Sequence, residues 1–182
     1  MRLYCKTILT VCLFSWAAIS PLALAQELEN GHVTTTFEGE SQTLPLRFGE
    51  ALTEWQPPLS RFDDPSRTSI RIVAGADPQT GEHWLSMNLV FDRNTLEIVG
   101  TNQISDSRAQ NEAGVVEPAS TLWSNPKPEF TIEEYEVRGT SAFVRGSFNA
   151  TMSGGKQLTG SFEVLAPGVC PGDQLPGAEG CT

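Results

Sequence analysis

His32 and His83 are the only two imidazoles in the chain, and they restrict the chemistry on offer. A catalytic zinc site takes three protein ligands, commonly built on histidines at i and i+4. His32 and His83 lie far apart and fit no such spacing, so no metal site and no cofactor are predicted. Copper is served no better, since Met87 and Met152 are the only thioethers beyond the leader. His83 follows Gly81-Glu82 at the start of an apolar run and reads as a solvated strand end.

Nucleophilic hydrolysis requires a serine or cysteine with a base and an orienting acid. No Gly-x-Ser-x-Gly elbow is present. Ser147 and Ser161 fall mid-strand, where a cross-strand hydrogen bond accounts for them. Gly154-Gly155-Lys156 ends like a phosphate loop, but the preceding glycine and the following helix are missing, so it reads as a hairpin turn.

The carboxylates offer little more. Asp63-Asp64 lies in a proline-bounded loop, and Glu133-Glu134 with Glu136 borders a strand. A glycosidase sets two carboxylates across a cleft. Neighbours in a regular strand point to opposite faces, so Glu133 and Glu134 alone do not meet that need. Asp77, Thr80 and Glu82 could offer oxygen ligands to calcium, yet their spacing matches no calcium loop. The pattern points away from an enzyme.

The tryptophans remain. Trp55, Trp84 and Trp123 are the candidate binding residues, since an exposed aromatic suits a protein partner or the face of a sugar ring. Trp55 and Trp123 fall in or beside proline-rich stretches. The competing reading is that each covers an edge of the core.

The elements that must carry these residues are strands. Residues 142–152 and 156–166 pair without conflict around the loop Ser153-Gly154-Gly155. Phe148 then faces Gly160, Gly146 faces Phe162, Val144 faces Val164 and Ala150 faces Leu158. On the other face Arg145 meets Glu163, Ser147 meets Ser161 and Phe143 meets Leu165. Each glycine lies under an aromatic ring, a pairing that marks antiparallel sheet.

Upstream, 33–37, 44–48, 69–74, 84–91, 96–101 and 130–137 read as further strands. Leu85, Met87, Leu89 and Phe91 share one face of 84–91. Residues 48–55 suit a strand or a short helix equally. Residues 102–129, with Pro118, Pro126 and Pro128, read as one long connection with room for a short strand at Leu122-Trp123. A connection of that length in a compact domain is usually functional or disordered. The expectation is one all-β domain, an antiparallel sandwich or flattened barrel of roughly eight strands with little helix.

The ends set the compartment. Arg2 and Lys6 precede an apolar stretch that closes on Ala23-Leu24-Ala25, the form of a cleavable export signal. The apolar run is short for a membrane span, and Pro21 interrupts it. Cleavage after Ala25 is predicted, giving a periplasmic or extracellular chain with no stable membrane insertion. Its parts are a signal at 1–25, a β domain at 26–166 and a tail at 167–182.

Removing 25 of 182 residues leaves 157, and it takes two of the 12 cations but none of the 22 acids, so the net charge moves from −10 to −12. Such a surface disfavours nucleic acid. Cys170 and Cys181 are the two cysteines left, and an exported protein pairs them by default. The function that follows is a non-enzymatic binding or interaction module. Its partner is a protein or small molecule of unknown identity, and the 102–129 stretch with Trp123 is the contact surface. A carrier of small apolar molecules and a carbohydrate-binding protein are the alternatives.

Overall fold

The computed structural model describes residues 30–47, 53–56, 66–76, 83–138 and 141–167, with backbone alone at 54–56 and 167. The expected signal, the Cys170–Cys181 pair, Asp63-Asp64 and the Asp77, Thr80, Glu82 group lie outside the described residues. Ten strands follow one another: β1 (Gly31–Phe37), β2 (Glu40–Pro45), β3 (Glu54–Gln56), β4 (Arg67–Gly75), β5 (Trp84–Asp92), β6 (Gln103–Asp106), β7 (Ala119–Ser120), β8 (Glu129–Arg138), β9 (Ser141–Thr151) and β10 (Gln157–Pro167). They form two antiparallel sheets, ordered β2-β1-β10-β9-β8 and β3-β4-β5-β6-β7. The protein is an all-β sandwich.

The closing hairpin has the register read from its residues. Phe148 faces Gly160, Gly146 faces Phe162, Val144 faces Val164 and Ala150 faces Leu158. The turn at Ser153–Gly155 joins the strands. Phe148, Phe162, Val144, Val164 and Leu158 are buried, while Phe143 and Leu165 on the other face are half-buried. One detail differs. Arg145 opposes Glu163 in register, but its guanidinium bonds to Glu133 and Glu134 of β8, at 3.4 and 3.1 Å.

In the facing sheet, Leu85, Met87, Leu89 and Phe91 of β5 and Ile70, Ile72 and Ala74 of β4 are fully buried. Alternation of the strand backbone sends these residues to one face. They meet the buried face of the hairpin sheet in one continuous apolar cluster. Along one side the chain itself links the sheets. After β2, Leu46 pairs with Ala74 of β4, and the Arg47 amide donates to the Val73 carbonyl at 2.8 Å.

Two expectations need correction. The 96–101 segment is not a strand; a single bridge, Phe91 to Ile98, is all it makes. The Asp92 carboxylate accepts the amides of Asn94 and Thr95 and tightens the turn, and Leu96 then takes a left-handed φ of 61°. The sheet resumes only at β6. The second correction follows from it: 102–129 is not one long loop, because β6 and β7 lie within it and pair with each other. The short strand falls at Ala119–Ser120, not at Leu122-Trp123, which form a turn.

Asn102 holds this irregular stretch in place. It is fully buried, accepts the Val90 amide at 2.6 Å and donates to the Val99 carbonyl at 2.9 Å. Its amide thus takes the place of a missing neighbour strand beside Val90. Asn102→Ala leaves a buried N–H without an acceptor and should cost about 1–3 kcal/mol. Urea denaturation reads this directly, and unchanged stability would remove the role.

A bulge sets the parity of β8. Phe130 and Ile132 are buried, and the register then shifts between Ile132 and Glu134. Beyond it Tyr135 opposes buried Val144, and its ring meets Phe91 edge-on at 5.6 Å. An unbulged strand would have turned Glu134 and Glu136 to the core; one extra residue returns both to solvent.

Candidate functional site

Alternation places the side chain of Asp106 on the same inward face of β6 as Ile104, and Asp106 is fully buried. A carboxylate there must be paired. Arg108, two residues on, supplies Nε to Oδ1 at 3.0 Å, Nη2 to Oδ2 at 2.8 Å and its own backbone amide to Oδ1 at 2.9 Å. His83 Nε2 lies 3.2 Å from Oδ2.

The group also ties the two sheets together. His83 Nδ1 lies 2.7 Å from Gln42 Oε1 of β2, and Arg108 Nη2 donates to Thr35 Oγ1 of β1 at 3.2 Å. Arg108 also sits 4.8 Å from the centre of the Phe37 ring, and Lys156 Nζ lies 5.7 Å from it. Burial acts to raise the Asp106 carboxyl. The bonds from His83 and Arg108, the Arg108 amide and the guanidinium charge together outweigh it, so the group is held below the ordinary carboxylate range.

This corrects the reading of His83 as a solvated strand end: its side chain is 13% exposed. Both ring nitrogens are engaged, so neither faces outward to take a proton from a substrate. The arrangement clamps the sheets and offers no nucleophile. Among the described residues, no group of three or more His, Cys, Asp or Glu side chains is placed to hold a metal ion.

The second acid group behaves differently from expectation. The β8 bulge breaks the alternation that would have separated Glu133 from Glu134, and both reach Arg145. The two carboxylates are thus brought together, though around a cation on an open surface and not across a cleft.

The outer face of the hairpin sheet carries short hydroxyl side chains in rows. Thr43, Thr34, Ser161, Ser147 and Thr131 stand in register across all five strands, with Ser41, Thr36, Thr159 and Asn149 beside them. Thr34 and Thr43 are 3.3 Å apart at their hydroxyls, and Thr36 and Ser41 are 2.7 Å apart. These rows carry no aromatic ring on which a sugar could stack.

The three tryptophans fall on three separate elements of the chain. Trp55 lies in β3 opposite Ile70, and its side chain lies outside the described residues. Trp84 opens β5, half-buried, with its amide donating to Ser107 Oγ at 3.0 Å. Trp123 is different: it is 57% exposed, next to Leu122 at 66%.

The turn beneath that pair is well fastened. The Ser120 amide donates to Ser124 Oγ at 2.8 Å, and the Ser124 amide donates back to the Ser120 carbonyl at 3.1 Å. Ser120 Oγ accepts the Leu122 amide at 3.2 Å, and the Thr121 amide donates to the Asn102 carbonyl at 3.0 Å. The Asn102 amide in turn donates to Thr121 Oγ1 at 3.0 Å.

Trp123 was visible from its proline-rich surroundings. The Asp106 group was not, because 102–129 read as a loop. The signal for it is Ile104-x-Asp106, an acid at the next inward position of a short strand. Comparison of the chain with protein-family models, with curated proteins and with solved structures gives no match. The class that the fold defines is architectural, an antiparallel sandwich with ten strands among the described residues.

Proposed function

We propose that the protein is an exported, non-enzymatic interaction module that presents Leu122 and Trp123 to an apolar pocket of a partner. The observation that carries this is a rigid turn with two large apolar side chains in water. Exposed apolar side chains are unremarkable singly. Here two stand side by side on a base fixed by hydrogen bonds, so little conformational freedom is lost when they are captured. Tryptophan is also the residue type most enriched among the anchors of protein interfaces. Export is part of the proposal and rests on the basic, apolar and Ala-x-Ala order of the first 25 residues.

The test compares the wild-type chain with Trp123→Ala, each purified gently from its own host. Native mass should show bound mass on the wild type and none on the variant. The melting temperature should hold, because truncating an exposed side chain changes stability by about 0.5 kcal/mol or less. A variant that melts early like a core truncation and keeps its bound mass would overturn the reading. A bare monomer from both chains would count against it as well.

A further inference from the structure

β8 is the outermost strand of its sheet and, at ten residues, the longest edge strand among the described residues. Among the described residues no strand pairs with its outer side, which makes that side a template for one more. Three of the four large apolar side chains exposed among the described residues belong to this strand or to the turn leading into it: Leu122, Trp123 and Val137. Glu129, Glu133, Glu134 and Glu136 stand along the outward face of the same strand, against Arg138 at its end and Arg145 from β9. With four acids and one cation along the strand, and a net charge of −10 on the chain, this edge disfavours pairing with a second copy.

We infer that β8 accepts an extended segment of a partner protein as a sixth strand. This deepens, and rests on, the reading of the protein as an interaction module. The chemistry of the segment follows from alternation. Side chains that continue the outer face meet the glutamates and are basic. Those that continue the inner face meet Val137 and the margin of the core and are apolar. The occupant is therefore a strand of alternating Lys or Arg and aliphatic residues.

The probe is an acetylated ten-residue peptide alternating Lys and Val, set against the same peptide with Glu in place of Lys. Amide hydrogen exchange of the whole protein is followed by NMR. The Lys-Val peptide should slow exchange at alternate amides of β8 by tenfold or more, and the Glu-Val peptide should not. In Glu129→Lys/Glu133→Lys, two exposed positions, the preference should reverse. Exchange in β8 that is unchanged by the Lys-Val peptide, or slowed equally by both peptides, would overturn the inference. The parent reading is separable: a partner lost on Trp123→Ala, with no peptide protection of β8, keeps the Leu122–Trp123 anchor and removes the added strand.

Discussion

Gly160→Ala should destabilise the protein by roughly 3 kcal/mol or more, a larger loss than most single changes of one methyl group produce. A Cβ at that position would press on the Thr34 carbonyl oxygen of β1 and come within 2.5 Å of Phe148 Cζ. Gly146 is its counterpart, with the Thr131 carbonyl oxygen of β8 on one side and Phe162 Cζ at 2.6 Å. In both cases one of the obstructing atoms is backbone in the middle of a sheet, which does not move aside cheaply.

The comparison that isolates this cause is Gly154→Ala. It introduces a left-handed residue at φ 76° with nothing within 4 Å, and should cost only about 1 kcal/mol. A second variant, Gly160→Ala/Phe148→Leu, removes the ring but not the Thr34 carbonyl, so it should recover little. Urea denaturation of the four chains decides the matter. Equal losses at Gly154 and Gly160 would mean that the close approach is not what demands glycine there.

Asp106→Ala should cost about 3 kcal/mol, near the lower end for breaking a buried ion pair. The lower end applies because the Arg108 side chain is 22% exposed and has a route to water. Asp106→Asn keeps the shape, removes the charge and exposes the pH dependence. An unfolded aspartate titrates near 3.8, and in the folded chain the group lies lower. The folded state therefore binds the proton less readily than the unfolded state.

The stabilisation from this carboxylate is present in full above the unfolded value and is lost as pH falls through the folded one. The gap between wild type and Asp106→Asn should be wide at neutral pH and close on acidification below about pH 4. Asp92 is also held low, by the Ser66 hydroxyl first and then by the amides of Thr95 and Asn94. It titrates alike in both chains, so the difference between them reports Asp106. A gap that stays constant from neutral pH down through that window would rule out the charged clamp.

How far the fold could be read from residues depended on how local the deciding interaction was. The β9–β10 register follows from two Gly–Phe pairs and a short turn, all within one hairpin, and the structure repeats it pair for pair. The buried face of β5 follows from strict alternation. The second sheet beyond β5 was hidden, because β6 and β7 carry few large apolar residues and owe their place to Asn102 and to the Asp106 group. Asp106–Arg108 is a local pair, but its meaning rests on contacts with distant segments, from Asp106 to His83 and from Arg108 to Thr35, 23 and 73 residues away, which no short window of sequence contains. The β8 bulge was hidden for a related reason: only the strand beside it reveals that one residue is extra. The residues around Trp123 left it open between an exposed contact and a cover for the core edge, and the hydrogen bonds that hold its turn became visible only with β7 and Asn102 in place.

The pairing of β1 with β10 joins the two ends of the described chain at the centre of one sheet. Loop closure across most of the chain is the slow step of such a topology. A chain emerging N-terminus first, whether from a ribosome or through a narrow pore, can form the β1–β2 hairpin early. It cannot complete that sheet until its last strand has emerged. The order of synthesis and the order of assembly thus run against each other, and the polypeptide stays threadable until it is nearly whole.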